Sequence, residues 1–314
     1  MKYRIVVCYV SLWAAALTGC SNAQGEGDAL TAEDLGGLDP ETVRAEAIQK
    51  FGVLPDVQAN SKRPLTDAKT TLGRQLFYEK RLSKNQDLAC NTCHDLNAYG
   101  VDRRSGSVKT SLGHRGQLGT RNAPTVYNAA RHVAQFWDGR AVDVEEQAKG
   151  PILNPVEMAL PNAAAVVSML KSIPGYMPLF QAAFPGVKDP ITYDNVGIAI
   201  GAFERKLVTQ DRFDDYLSGD KDVLSPDEVR GLYVFLNSGC PACHTGPGVG
   251  GELYRKMGDV KVYPSNGDTG RFEVTKKEMD RNVFKVPSLR NIDRTGPYFH
   301  DGSQSTLTAA IRTM

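Results

Sequence analysis

Four cysteines of this chain fall into two copies of one five-residue motif. The copies are Cys90-Asn-Thr-Cys93-His94 and Cys240-Pro-Ala-Cys243-His244. Two thiols one helical turn apart can reach the two vinyl groups of one porphyrin, and the next imidazole can then bind its iron. A redox Cys-x-x-Cys motif needs no histidine in fifth place, and a zinc site needs four ligands in a closed tetrahedron. The motifs therefore predict two covalently bound haem c groups, with His94 and His244 as iron ligands.

A similar segment precedes each motif. The two segments are Gly73-x-x-Leu76-Phe77 and Gly231-x-x-Val234-Phe235, and both are typical of the helix that leads into a cytochrome c haem loop. The repeat predicts a mostly α fold, built as two tandem cytochrome c-like haem domains with few short strands.

Local signals place several elements around these loops. Ser225-Pro-Asp-Glu228 is a capping box that opens a helix ending near Gly239, and Asp39-Pro40 opens a helix that runs to about Lys50. A third helix, with Asp194 as its candidate cap, places apolar residues on one face at Val196, Ile200, Phe203 and Leu207. The two segments that best fit short strands are 259–263 and 271–275.

Composition bounds the class of protein. The chain has 314 residues, 41% hydrophobic and 23% charged, with 37 basic and 36 acidic positions. Those values are typical of a soluble globular protein with two domains. A net charge of +1 gives no electrostatic footprint for DNA or RNA, so we expect no nucleic-acid partner.

The N-terminus predicts export. A short cationic stretch, Met1 to Arg4, precedes an apolar run that is too short to span a bilayer comfortably. The run ends in Leu17-Thr-Gly-Cys20, which resembles a bacterial lipobox. We expect residues 1–19 to be a lipoprotein signal peptide and 20–60 a tether with a short helix, which gives a periplasmic protein anchored by lipid at Cys20. The alternative is a plain secretory signal with a chance cysteine.

The short sequence motifs around the two haem motifs resemble those of bacterial di-haem cytochrome c peroxidases. They follow the family's order along the chain: Leu72-Gly-Arg-Gln-Leu-Phe77, Ser111-Leu-Gly-His114, Arg121-Asn-Ala-Pro-Thr125, Phe136-Trp-Asp-Gly-Arg140, Asn154-Pro-Val-Glu-Met158, Asp268-Thr-Gly-Arg271, Val286-Pro-Ser-Leu-Arg290 and Pro297-Tyr-Phe-His300. The resemblance implies a peroxidatic haem domain at 61–207 and an electron-transfer haem domain at 208–314. It also implies hydrogen peroxide as substrate, a cytochrome c or cupredoxin as electron donor, and a homodimer.

The same resemblance assigns the residues of the peroxidatic haem. His94 is the proximal ligand, and His114 is the distal ligand that blocks the site in the oxidised form. Gln147 and Glu157 line the opened distal face. Glu157 is the general acid/base that moves a proton between the oxygens of bound peroxide.

On the electron-transfer side, the resemblance makes Trp137 a bridge between the haems and Met314 the ligand opposite His244, with Met257 and Met177 as weaker candidates. It implies that the family continues beyond Met314 and that this sequence is a fragment. It also implies a calcium ion held by Asn122, Thr295 and Pro297. His132 matches no ligand position, and His300 is expected near the second haem.

Two other functions fit the haem motifs. A pure electron-transfer cytochrome would need no distal carboxylate and would keep both irons six-coordinate. A di-haem oxidase that modifies tryptophans of a partner protein would have a tyrosine in place of the methionine ligand.

Overall fold

The computed structural model describes residues 37–104, 109–264 and 267–314. Within these residues it is mostly helical and contains two short strands, which confirms the predicted fold class. The helices are α1 (Pro40–Lys50), α2 (Asp67–Phe77), α3 (Cys90–Cys93), α4 (Val144–Leu153), α5 (Ala163–Lys171), α6 (Tyr176–Ala183), α7 (Tyr193–Glu204), α8 (Arg212–Ser218), α9 (Pro226–Asn237), α10 (Phe272–Thr275) and α11 (Leu307–Thr313). Strands β1 (Tyr254–Lys256) and β2 (Val283–Lys285) pair antiparallel. The predicted signal peptide, the lipobox and most of the tether lie outside the described residues.

The chain forms two compact units. The first combines the described residues up to Val53 with Asp211–Pro241, and the second combines Leu54–Gln210 with Ala242–Met314. The division falls inside the second haem motif. The two units are defined by contacts between residues. The predicted domains at 61–207 and 208–314 are defined instead by the haem that each would carry, so those boundaries stay a prediction.

The first unit contains two helices whose starts were predicted from local chemistry. The Asp39 carboxylate accepts from the amides of Glu41 and Thr42 at the start of α1. Ser225 and Glu228 form the predicted capping box at the start of α9. Phe51 packs against Phe213 and Phe235, so the phenylalanine of the second repeat lies in this unit's core.

The core of the second unit is centred on α7. Val196 and Ile200 are fully buried, and Phe203 and Leu207 are 8% exposed, which confirms the predicted apolar face. The predicted cap was wrong by two residues. Thr192 caps the helix, because its hydroxyl accepts from the amide of Asn195, and the helix starts at Tyr193, one residue before Asp194.

Small residues let two helices approach α7 closely. A Cβ on Gly73 of α2 would overlap the carbonyl oxygen of Ala199. A Cβ on Gly201 would lie 2.6 Å from Cγ of Glu145 on α4. Helix α2 leads to the first haem motif, and α4 leads to the Asn154–Met158 motif. These contacts therefore set the positions of both motifs.

The predicted strands were wrong in position. Residues 271–275 contain α10, and 259–263 form no strand. The observed strands are three residues long, and their pairing joins Tyr254 to Lys285 across the sequence. Alternation over three residues is too short to be recognised without knowledge of the partner strand.

Among the described residues, no single helix has the length and apolar character needed to cross a bilayer. Helices α5 and α6 reach that threshold only as a pair, with a bend of 110° between them.

We expect Gly73→Ala to destabilise the protein by about 1–3 kcal/mol, since overpacking at a close helix contact forces the backbones apart. The matched control is Gly175→Ala, where an added Cβ would meet nothing within 4 Å. Thermal unfolding followed by circular dichroism measures both. Equal melting temperatures for the two variants would show that α2 and α7 do not pack as described.

Candidate functional site

The first haem motif forms the short helix α3. The Thr92 hydroxyl accepts from the amide of Ala89, which closes the start of the turn. Cys90 and Cys93 are not disulfide-bonded. Burial raises the pKa of Cys90, and it raises the pKa of Cys93 to about 11 against the opposing charge of Arg104. Redox-active cysteines have lowered pKa values, so this environment disfavours a dithiol redox site.

His94 ends this helix in a form suited to ligation. Burial lowers its pKa, which keeps the imidazole neutral. Its Nδ1 lies 3.3 Å from the carbonyl oxygen of Gly100. A metal-ligating histidine normally donates one ring N–H to such a carbonyl and binds the metal through the other nitrogen. Nε2 of His94 is therefore the atom that fits an iron.

The second motif begins in a short 3-10 turn, Cys240–Ala242. Burial lowers the pKa of His244, opposed by the backbone groups of Val249 and Pro287. Nδ1 of His244 is buried and has no hydrogen-bond partner. With a neutral imidazole and two cysteines outside any disulfide, this motif also fits a haem.

The structure joins two of the predicted distal residues. The backbone amide of His114 donates to the carbonyl oxygens of Val156 (2.9 Å) and Glu157 (2.8 Å). Gly113 permits this contact, because a Cβ there would overlap Val156. His114 is 6% exposed, and its buried Nδ1 has no hydrogen-bond partner.

Glu157 is a carboxyl group in a partly apolar setting. Burial raises its pKa, opposed by the charge of Arg140 and a hydrogen bond with Asn154. Its charge in turn raises the pKa of both Cys90 and Cys93, which places it within electrostatic reach of the first motif. A carboxyl group with a raised pKa can both give and take a proton near neutral pH.

Arg140 is a member of this site that the sequence analysis did not single out. Its guanidinium lies 3.4 Å above the ring centre of Phe136 and 3.0 Å from the Asp138 carboxylate. In the sequence, its position at the end of the Phe136–Arg140 motif was the only indication that it belongs to the site. Its positive charge is the principal influence that favours the ionised form of Glu157.

Gln147 and Trp137 are less closely tied to this centre. Gln147 lies on α4 and is partly buried, and among the described residues no hydrogen bond joins it to His114 or Glu157. The indole nitrogen of Trp137 donates to the carbonyl oxygen of Asn122 (2.9 Å). Its own carbonyl accepts from the amide of Lys285 (2.7 Å).

The predicted calcium residues are partly assembled. The Asn122 side-chain amide lies 2.6 Å from the carbonyl oxygen of Pro297. Thr295 is two residues from Pro297 and follows a 3-10 turn. Rotation of the Asn122 side-chain amide by 180° would turn its oxygen, instead of its nitrogen, towards this carbonyl group. Amide and carbonyl oxygens are ligands that calcium prefers. The described residues hold no cluster of three or more His, Cys, Asp or Glu side chains that could bind a metal, but a site of amide and carbonyl oxygens is a different kind.

The methionine candidates are not brought to His244 by any described contact. Met314 ends α11 and is 59% exposed. The amide of Met257 donates to the carbonyl oxygen of Asn282 (2.8 Å), and Met177 packs against the α7 core. His300 stacks on Phe284 at 4.0 Å and meets the edge of Trp137 at 6.4 Å.

Glu204 is a second residue that the sequence analysis passed over. It lies at the end of α7 and is 4% exposed. Burial and the neighbouring Glu145 carboxylate raise its pKa to about 8, against the charge of Arg205. Glu145 itself binds Arg205 through two 2.8 Å hydrogen bonds. A Glu-Arg pair at a helix end looks like a solvated terminus in sequence, so only packing reveals it.

Comparison with known proteins gives consistent matches. Residues 67–222 match the family model described as di-haem cytochrome c peroxidase. Cytochrome c551 peroxidase from Nitrosomonas europaea is 49% identical over 77% of this chain and 71% of that protein. The same-named protein from Pseudomonas aeruginosa is 46% identical over 80% and 73%. A solved MauG-like protein associated with microbial copper homeostasis aligns with a TM-score of 0.73 at 32% identity, covering 83% of this chain and 79% of the other.

We expect Glu204→Gln to change the pH dependence of stability. Because the folded pKa of about 8 lies above the ordinary 4.5, the folded state holds a proton that the unfolded chain releases. The associated stability is complete below about pH 4.5 and is lost as pH rises towards 8. The neutral glutamine should avoid that loss and raise the melting temperature at pH 8, relative to wild type, by at least about 2–4 °C. Calorimetry at pH 5 and pH 8 tests this, with Glu146→Gln on the more exposed side of α4 as control. A pH-independent difference would remove Glu204 from this role.

Proposed function

The chain belongs to the di-haem cytochrome c peroxidase family, and from that premise we propose that it reduces hydrogen peroxide to water with electrons from a small redox protein. One observation carries the proposal: Glu157, with its pKa raised by burial, is held by its backbone to His114 and acts electrostatically on the first Cys-x-x-Cys-His motif. A carrier of electrons alone has no need of such a group.

Membership of a di-haem family implies two haem groups. We propose covalent attachment through Cys90 and Cys93 and through Cys240 and Cys243, with His94 and His244 as ligands. The unpaired cysteines and the neutral histidines support this assignment.

The reaction converts H2O2, two electrons and two protons into two waters. When bound, the haems supply two one-electron centres, which lets a donor of single electrons complete a two-electron reduction. Glu157 takes the proton from the near oxygen of the bound peroxide and delivers it to the far oxygen, which then leaves as water. Gln147, on α4, orients the peroxide. Arg140 keeps Glu157 able to ionise in spite of its burial.

His114 controls access to this site. We propose that the His114 imidazole would be a ligand of the haem held at His94 in the oxidised protein and would free that place for peroxide in the reduced protein. Because its amide bonds to the carbonyl oxygen of Glu157, a shift of His114 also moves the Glu157 backbone. Opening the site and positioning the acid/base are therefore one structural change.

His244 and Met314 would hold the second haem, which would accept electrons from the donor, and Trp137 would lie on the path between the haems. A thioether ligand raises a haem potential, which suits an entry point. Asn122 and Pro297, with Thr295, would hold calcium next to this path, because the Asn122 carbonyl oxygen accepts from the Trp137 indole. The relatives named cytochrome c551 peroxidases favour a c-type cytochrome as donor, with a cupredoxin as the alternative.

Location and assembly complete the proposal. The lipobox predicts a periplasmic protein held to a membrane by lipid at Cys20, and family resemblance predicts a homodimer. Both are open to direct tests by mass spectrometry of the mature N-terminus and by light scattering.

A MauG-like oxidase that acts on a partner protein is the second candidate, favoured by the alignment with the solved MauG-like protein. A methionine ligand for the second haem would favour the peroxidase, since the oxidase carries tyrosine there.

We expect Glu157→Gln to retain both haems and their spectra but to lose about 10²–10⁴-fold in peroxide turnover, because the isostere preserves shape and removes the proton relay. Steady-state reduction of hydrogen peroxide with a reduced cytochrome c measures this. The control is Glu146→Gln, whose side chain pairs with Lys149 on α4. An undiminished rate in the Glu157 variant would remove it from the mechanism, and no turnover in the wild type with any small donor would overturn the peroxidase assignment.

We expect Met314→His to lower the potential of the second haem, on the order of 0.1 V within the roughly 0.8 V range that axial ligands cover. Reduction by the donor should slow accordingly. Met257→Leu should change neither quantity. Spectroelectrochemical titration of both variants decides the ligand, and a shift confined to the Met257 variant would transfer the role to that residue.

A further inference from the structure

Tyr263 lies at the end of a chain of ring contacts that begins at Trp137. The Trp137 indole meets His300 with 6.4 Å between ring centres, and His300 meets Tyr263 at 5.9 Å. Aromatic rings whose centres are about 4.5–7 Å apart are in direct contact. The three rings therefore form an unbroken path from the proposed electron bridge to Tyr263.

The Tyr263 phenol is paired with a proton acceptor. Its hydroxyl lies 2.9 and 3.0 Å from the two carboxylate oxygens of Asp301 and 2.5 Å from the Ser303 hydroxyl. An ionised carboxylate can only accept, so the phenol donates to Asp301. Burial opposes ionisation of Asp301, but hydrogen bonds from Ser303 and Tyr263 outweigh it and lower the pKa of this carboxyl group. Asp301 is therefore charged at neutral pH and able to take a proton.

These two features together are what the oxidation of a tyrosine requires. A phenol is a weak acid with a pKa of about 10, but the removal of one electron makes it a far stronger acid. A tyrosine is therefore oxidised readily where an acceptor for its proton lies within hydrogen-bond distance. At Tyr263 the electron can leave through the ring contacts towards Trp137, and the proton can pass to Asp301.

Tyr176 shows that a carboxylate partner alone does not distinguish Tyr263. The Tyr176 hydroxyl also donates to a carboxylate, that of Glu79, at 2.7 Å. Its ring meets Phe180 at 6.3 Å, and none of the described ring contacts leads from there to Trp137. Tyr263 has both the proton acceptor and the aromatic route, whereas Tyr176 has the acceptor only.

We propose that Tyr263 is a redox-active residue that supplies the second electron for peroxide reduction when the donor has delivered only one. The inference rests on the proposed function for the peroxide reaction and for the place of Trp137 on the electron path. Peroxide takes one electron from the reduced second haem, one electron from Tyr263 and two protons from solvent, and gives two waters. The Tyr263 phenol loses its proton to Asp301 and becomes a neutral radical.

The radical is restored to a phenol by the next electron from the donor, with the proton returned by Asp301. Tyr263 is half-buried, and the segment that leads to it carries Val260 and Val262, whose exposed fractions are 96% and 88%. The oxidised residue therefore lies close to the surface. A reaction that begins with too few electrons is completed in this way without leaving an oxidising equivalent in the interior.

The test uses the intact holoprotein, reduced by one electron and mixed with hydrogen peroxide in the absence of donor. Samples frozen at successive times are measured by electron paramagnetic resonance, and ring-deuterated tyrosine identifies a tyrosyl signal because the label narrows it. We expect a tyrosyl radical in the wild type and its loss in Tyr263→Phe. Asp301→Asn should slow formation of the radical, because an amide cannot take the phenol proton.

Tyr176→Phe is the matched control, because this variant also removes a phenol that donates to a carboxylate. It should keep the radical at the wild-type yield. A tyrosyl signal that is unchanged in Tyr263→Phe would assign the radical to another residue and overturn the inference.

Peroxide consumption, measured in the same samples, separates this inference from the proposed function. If the half-reduced wild type consumes no peroxide, the proposed function is wrong and the inference is lost with it. Peroxide consumption without any tyrosyl radical would overturn only the role of Tyr263. If Tyr263→Phe fails to fold, a fluorotyrosine in place of Tyr263 supplies the second measurement, since fluorine splits the signal only when the radical lies on that ring.

Discussion

The hydrogen bonds from the His114 amide to the carbonyl oxygens of Val156 and Glu157 couple the two parts of the proposed peroxidatic site. They require a residue without a side chain at Gly113 and a fixed end to α4, from which the Asn154–Met158 segment follows. Helix α4 is in turn held against α7 by the close approach at Gly201, and α2 against the other side of α7 at Gly73. The position of Glu157, the proposed proton-transfer group, thus depends on one close loop contact at Gly113 and two helix contacts at Gly201 and Gly73.

Burial acts in one direction on the ionisable groups around the first motif. It raises the pKa of the cysteine thiols, Glu157 and Glu204, and lowers that of His94, so each neutral form is favoured. A low-dielectric site of this kind binds a flat apolar group readily and makes any remaining charge influential. Arg140 is that charge for Glu157, and it limits how far the carboxyl group is driven to its protonated form.

The parts of the molecule that were predictable from sequence are those set by local chemistry. The Cys-x-x-Cys-His spacing, the Ser225 capping box and the apolar face of α7 each involve residues within a few turns of one another. Thr192 and Asp194 are both good helix caps two residues apart, so sequence alone could not choose between them. Arg140, Glu204 and Lys285 are common residue types whose roles arise from packing between distant segments. The same holds for the three-residue strands, whose pairing joins residues about thirty positions apart.

Lys285 differs from the buried acids, because burial does not remove its charge. An acid such as Glu157 loses its charge by taking up a proton and needs no partner to do so. A lysine must release a proton to become neutral, and a pKa of about 8 leaves it largely charged at neutral pH. A buried ammonium that stays charged needs an acceptor, and Nδ1 of His132, 2.8 Å from Nζ, provides one. The same short strand also stacks Phe284 on His300 and donates to the carbonyl oxygen of Trp137. The Lys285 ammonium and the His132 ring therefore form a buried polar pair on the strand whose backbone contacts Trp137.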